Sequence, residues 1–264
     1  MLSWTALSPR RRILLATIAT GVLILAMALV GRALLAPGDS ATGPPLDQPG
    51  PVLLVPGYGG STGSLSILAG AINATGRGAQ VVPLPGDGTG DLTAQAEVLD
   101  AAVQQALAGG APSVDLIGYS AGGVVVRLWV ARHGGSHVRR VITLGSPLHG
   151  AQLAAVGASL GSGVCPTACQ QLVPGSALLN EVNKQKLPKS LGWLSLWTAN
   201  DETVTPVTSA KLDGATNLEL QSLCPTVNIS HGDLPTDPLV TRIVLHAIGP
   251  GPLVTPSTAD CAAS

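Results

Sequence analysis

Ser113-Val114-Asp115-Leu116-Ile117-Gly118-Tyr119-Ser120-Ala121-Gly122 is the stretch on which the fold turns. Residues 113–117 form a short run rich in β-branched and apolar side chains, which predicts a buried strand closed by Gly118. Residues 122–133 carry a helical pattern that stops at Gly134. Between them lies Gly-Tyr-Ser-Ala-Gly. Gly and Ser are frequent in this chain, so the five residues alone say little. A strand before and a helix after make the pattern informative. Gly118 and Gly122 have no side chains to clash where strand and helix approach closely. The sharp turn between them pushes the Ser120 hydroxyl above the sheet edge.

Outward from this turn, short apolar runs alternate with helical stretches. Strands are expected at 52–55, 80–82, 138–144, 193–198 and 217–220, and helices at 64–73, 92–107 and 238–248. This alternation predicts an α/β fold with a mostly parallel central sheet and helices on both faces. The core domain is expected over 52–264, with an irregular cap or pocket region at about 146–190 that is rich in Gly and Ser. Residues 37–51, dense in Gly, Pro, Ser, Thr and Asp, suggest a linker.

The 264 residues fit one large domain. Charged residues make up 11% of the chain against roughly 25% in an average soluble protein, so a neutral, polar surface is expected. A net charge of −1 gives no field for a polyanion. Phe is absent, and the aromatics are 4 Trp and 2 Tyr, so there is no stacking platform for bases. Nucleic acid is therefore not an expected partner.

Arg10, Arg11 and Arg12 precede an apolar run over 13–30, which is an export signature. A helix of that length reaches about 27 Å against a bilayer core of roughly 30 Å. It is longer than the usual signal-peptide core of about 7–15 residues. Residues 1–36 thus fit either a cleaved signal peptide or a retained membrane anchor. The arginines also resemble a twin-arginine signal. Either way the domain is expected outside the cytoplasm, secreted or anchored to the membrane through residues 13–30. Cys165, Cys169, Cys224 and Cys261 all follow this segment. Outside the cytoplasm they suggest two disulfides, with three possible connectivities. No His stands at ligand spacing from them, so no metal site is expected.

A serine hydroxyl needs a base. In the α/β-hydrolase fold the chain order is nucleophile, acid, His. His231 sits on the loop between the last strand and the last helix, where a base swings over the sheet edge, and is the expected base. His133 and His137 fall at the far end of the elbow helix, His246 on the closing helix, and His149 before the acid. Asp201, directly after the strand at 193–198, is the expected acid, with Glu202 as its neighbouring competitor. The Ala121 and Tyr58 N–H groups are the expected oxyanion donors, Tyr58 from the loop Pro56-Gly57-Tyr58-Gly59-Gly60. Leu172, Val173, Leu178, Leu179 and Val182 are candidate acyl-pocket residues or plain packing under a loop.

These residues together resemble the bacterial class 2 lipases and the fungal lipase-B type over most of the chain after the linker. Pro51-Val52-Leu53-Leu54-Val55-Pro56-Gly57 is similar to the family's oxyanion strand and loop. Gln170-Gln171 with Pro174-Gly175-Ser176-Ala177-Leu178 resembles a segment over its pocket, and Asp201-Glu202-Thr203-Val204-Thr205-Pro206 resembles its acid loop. The resemblance implies a Cys224–Cys261 disulfide, which leaves Cys165 with Cys169. Ala121 and Tyr58 depart from the Gln and Thr of lipase-B. A Tyr hydroxyl is too far from its own backbone to copy the Thr donation. The function expected is a serine-dependent carboxylic ester hydrolase, a lipase or esterase working through an acyl-enzyme. It would act as a monomer on a lipid or small ester, with no cofactor. The alternatives are an acyltransferase with the same triad and a catalytically silent membrane-tethered binding module.

Overall fold

The structure, a computed structural model, describes residues 8, 10, 20–22, 27, 43–161 and 163–261. The chain divides into two units, Met1–Thr42 and Gly43–Ser264. The signal or anchor expected over 1–36 lies almost wholly outside the described residues. Among those described, no helix is long and apolar enough to cross a membrane.

Among the described residues, six strands form one sheet in the order β2-β1-β3-β4-β5-β6, and each adjacent pair is parallel. They are β1 (Val52–Val55), β2 (Ala79–Val81), β3 (Val114–Tyr119), β4 (Val138–Leu144), β5 (Gly192–Trp197) and β6 (Thr216–Glu219). The helices are α1 (Gly63–Ala74), α2 (Leu92–Ala108), α3 (Ala121–His133), α4 (Gln152–Ser159), α5 (Thr167–Gln171), α6 (Ala177–Asn183), α7 (Leu220–Leu223) and α8 (Pro238–Ala247).

The strands are continuous apolar runs because both faces of a parallel sheet are covered. Side chains alternate between the two faces. Leu53, Val55, Leu116 and Val141 pack with Leu99 and Val103 of α2 and Val124 of α3. Val52, Leu54, Ile117 and Ile142 pack with Leu65 and Leu68 of α1 and Val240 and Ile243 of α8. Local chemistry sets the helix ends. Asp91 and Asp237 cap α2 and α8 by accepting from Thr93 N and Leu239 N at 2.8 Å each. Gly134, at φ 70°, closes α3 in the left-handed conformation.

The strand expected at 80–82 lies one residue earlier, because pairing with β1 sets its register. The irregular region contains three short helices, α4 to α6. Of the linker expected over 37–51, residues 37–42 lie outside the described residues, and residues 46–51 make hydrogen bonds to the fold. Asp115, fully buried at the start of β3, accepts from Arg77 Nη2 and Arg139 Nη2 at 2.6 Å each. Those two guanidiniums then donate to backbone carbonyls at both ends of the domain. Arg77 reaches Gly50 O and Ile248 O at 2.7 Å each, and Arg139 reaches Leu46 O at 2.9 Å and Gly249 O at 2.8 Å.

The disulfides are Cys165–Cys169 and Cys224–Cys261, separated in sequence by 4 and 37 residues. They point to an oxidising compartment outside the cytoplasm. By loop-closure entropy the long one stabilises by about 4 kcal/mol and the short one by about 2 kcal/mol.

Asp115→Ala strands the buried Arg139 and the half-buried Arg77 without a counter-charge. Urea denaturation is expected to show a loss of about 3–5 kcal/mol. A loss under about 1 kcal/mol would mean the cluster is not needed to hold the two chain ends.

Candidate active site

Ser120 is the one non-glycine residue with positive φ among those described, at φ 52°. Such backbone costs about 1–3 kcal/mol and persists only where its surroundings over-determine it. Here they do. Ser120 N donates to Leu144 O at 2.8 Å, and Ser120 O accepts from Gly123 N at 3.0 Å. A Cβ on Gly118 would lie 2.5 Å from Gly123 Cα, one on Gly122 2.2 Å from Val55 O, and one on Gly123 1.9 Å from Ser146 Oγ. The turn is tight enough that all three positions need glycine. Gly118 and Gly122 belong to the Gly-x-Ser-x-Gly pattern, while Gly123 lies outside it.

The structure brings Ser120, His231 and Asp201 together. Ser120 Oγ lies 3.1 Å from His231 Nε2, and His231 Nδ1 lies 2.7 Å from Asp201 Oδ2. With Nδ1–H donating to the carboxylate, Nε2 is left to accept from the serine hydroxyl. Both the imidazole and the carboxylate are buried. Asp201 Oδ1 accepts from Thr203 N at 3.0 Å and Val204 N at 2.7 Å, which fixes the carboxylate plane. Gly145, at φ 55°, backs the pair. A Cβ there would lie 3.0 Å from His231 Nδ1 and 3.1 Å from Asp201 Oδ2.

Several residues that hold these loops gave no signal in the sequence. Thr198 Oγ1 donates to Ile229 O at 2.7 Å, and Asn200 Nδ2 donates to Asn228 Oδ1 at 3.0 Å, so the acid loop is stitched to the histidine loop. Glu202, the competing acid, is exposed and accepts from the His231 backbone N at 3.3 Å. Asp233 accepts from Ser230 N and Oγ, which bends the loop carrying His231. Tyr119 donates from its hydroxyl to His231 O at 3.2 Å, with ring centroids 5.2 Å apart. The other histidines lie elsewhere. His133 stacks on Trp129, His246 pairs with Asp260, and His137 is exposed. His149 braces its loop, donating from Nε2 to Lys211 O at 3.0 Å and accepting at Nδ1 from Asn183.

A cavity of about 370 Å³ opens at Ser120. Tyr58 and Ala121 line it, and among the described residues neither of their N–H groups has a hydrogen-bond partner. Two unpaired donors beside the serine suit an oxyanion. The remaining lining is apolar and comes mainly from α4 and the segment after it. Of the expected pocket residues, Leu172 lines the cavity. Val173, Leu178, Leu179 and Val182 do not; they pack against the core. The reason is that Ser176 caps α6, accepting from Leu179 N, and Arg127 Nη2 anchors its far end at Val182 O, so the apolar face of α6 turns inward. The cavity wall is instead Leu153, Val156, Leu160 and Val164, which are 61%, 58%, 66% and 59% exposed. Among the described residues, no cluster of three or more His, Cys, Asp and Glu has metal-binding geometry.

The palmitoyl protein thioesterase family matches residues 51–200, more than half of the chain, and the chain belongs to that family. The match includes Ser120 and ends just before Asp201. Aspergillus fumigatus lipase B superposes with a TM-score of 0.65 at 18% identity over 81% of this chain and 56% of that one. The chain thus spans little more than half the length of that lipase. Bacillus licheniformis lipase BlEst2 in mature form gives a TM-score of 0.55 at 23% identity, covering 69% of this chain and 86% of that one. At these identities the likeness shows a shared α/β-hydrolase fold. No curated protein matches the sequence.

Burial, followed by the carboxylates Asp201, Glu202 and Asp233, pushes the Tyr119 phenol up to about 12. The folded state therefore holds its proton more tightly than the unfolded chain does. The stability this contributes is complete below about pH 10 and is lost as pH rises from about 10 to about 12. The denaturation midpoint of the parent is expected to fall relative to that of Tyr119→Phe across that window. Parallel curves would refute the assignment.

Proposed function

We propose that this member of the palmitoyl protein thioesterase family is a serine hydrolase of fatty-acyl esters and thioesters, with Ser120, His231 and Asp201 as its triad. The observation that carries this reading is the continuous hydrogen-bonded line from Asp201 through His231 to Ser120, at the mouth of an apolar cavity. His231 removes the Ser120 proton as Oγ attacks the acyl carbonyl. The Tyr58 and Ala121 N–H groups donate to the oxyanion. His231 then protonates the leaving alcohol or thiol, and an acyl-enzyme remains. Water, deprotonated by His231, releases the acid. Asp201 holds the imidazole in the required tautomer and stabilises its charged form.

A cavity walled by exposed Leu and Val favours an acyl chain over a small polar ester. The two disulfides, with the apolar run over 13–30, support a protein exported from the cytoplasm, its N-terminal segment serving as signal or anchor.

Ser120→Ala is expected to lower nitrophenyl-ester turnover on the order of 10⁴- to 10⁶-fold and to abolish fluorophosphonate labelling. Asp201→Asn is expected to lower kcat on the order of 10³- to 10⁴-fold with KM little changed. Full turnover in Ser120→Ala would end this reading. Acylated alcohol in place of free acid, with an acceptor alcohol present, would make the enzyme a transferase.

A further inference from the structure

Helix α4, which supplies much of the cavity wall, is weakly held by its own packing. It spans 8 residues and buries Ala154 alone. A helix this short is not stable in water unaided. Leu153 and Val156 face the cavity and solvent, so they do not anchor it. Its start is tied by Gln152 N to Thr205 O at 2.9 Å and Ala151 N to Leu172 O at 3.0 Å.

The rest of α4 leans on sulfur. The Sγ atoms of Cys165 and Cys169 both lie 3.8 Å from Ala154 O. Gly157 approaches so closely that a Cβ there would sit 3.3 Å from Cys169 Sγ. Gly157 and Cys169 both line the cavity. A bridge across 4 residues constrains the unfolded chain less than the 37-residue one does. What it supplies is a fixed local shape.

We propose that the Cys165–Cys169 disulfide is the rigid backing of the acyl cavity and sets chain-length preference by fixing where α4 lies. This rests on the ester-hydrolase reading above. Leu153, Val156 and Gly157 of the cavity wall all lie on α4, so displacing that helix changes the length of acyl chain the cavity accepts. The bridge touches neither Ser120 nor His231, so it acts on selection among acyl groups rather than on bond cleavage.

The test is kcat/KM for nitrophenyl esters from acetate to palmitate. It is measured in the parent, the double variant Cys165→Ala/Cys169→Ala, Gly157→Ala, and Cys224→Ala/Cys261→Ala. In the first double variant the wall is released. In Gly157→Ala a methyl presses on Cys169 Sγ and displaces α4 against the bridge while both disulfides remain. Each is expected to lower the long-to-short ratio by about tenfold, the scale of one methylene's misfit. Removing the Cys224–Cys261 bridge is expected to lower Tm further yet leave the ratio within about twofold. An unchanged ratio in the Cys165/Cys169 variant overturns the proposal, and if that variant does not fold, an unchanged ratio in Gly157→Ala does so. An equal fall in the Cys224/Cys261 variant also overturns it. Failure of a fluorophosphonate to label Ser120 in the parent would instead remove the hydrolase reading itself.

Discussion

The whole site depends on how closely α3 approaches the sheet at Gly118, Gly122 and Gly123. With no Cβ at these positions, the helix begins against the carbonyls that end β1 and against Ser146 after β4. Ser120 is forced into backbone that serine otherwise avoids, and its hydroxyl faces outward as a result. The loop after β1 then lies beside the serine, because β1 is the strand next to β3 and the chain reverses its direction of winding between them. That reversal point is where ligands bind in open parallel sheets. One steric constraint thus fixes Ser120, the helix behind it and the amide-bearing loop in front.

The line from Asp201 through His231 to Ser120 is also held by the loops around it. Thr198, Asn200 and Glu202 on the acid side bond to residues 228–231 on the base side, and Tyr119 clasps His231 from the strand that carries the serine. Dipoles fixed in this way need no reorganisation during reaction. The acid-side loop also anchors α4, where Gln152 N donates to Thr205 O, so the cavity wall and Asp201 share a foundation.

Much of this was legible in the sequence wherever chemistry restricts residue type. The strand–Gly-x-Ser-x-Gly–helix run, the order of Ser120, Asp201 and His231, and the glycine loop around Tyr58 each have few alternatives. The cavity was not legible. Leu178 and Leu179 look like pocket residues because they are apolar and irregularly placed, yet the cap at Ser176 and the anchor at Arg127 turn them into the core. Leu153, Val156 and Leu160 do form a helical stripe, but over only eight residues and among Ala and Gly it is too faint to stand out. Thr198, Asn200 and Gly145 are ordinary residues until two distant loops meet. Residues 43–51 have linker composition, and the donors that fasten them, from Arg77, Ser113, Asp115, Arg139 and Gly251, all lie far away in the chain.

That binding has a geometric consequence. Asp115 and Ser120 stand at opposite ends of β3, separated by roughly 16 Å at about 3.3 Å per residue. The chain enters the domain at the Asp115 end, where Arg77 and Arg139 clamp it to the same carboxylate that secures the carbonyls after α8. One carboxylate thus orients the donors that fasten residues 46–50 and the carbonyls of Ile248 and Gly249. Ser120 and the Asp201–His231 pair stand at the other end of the sheet, so the bonds that fasten residues 46–50 and those that order the candidate site share no residue.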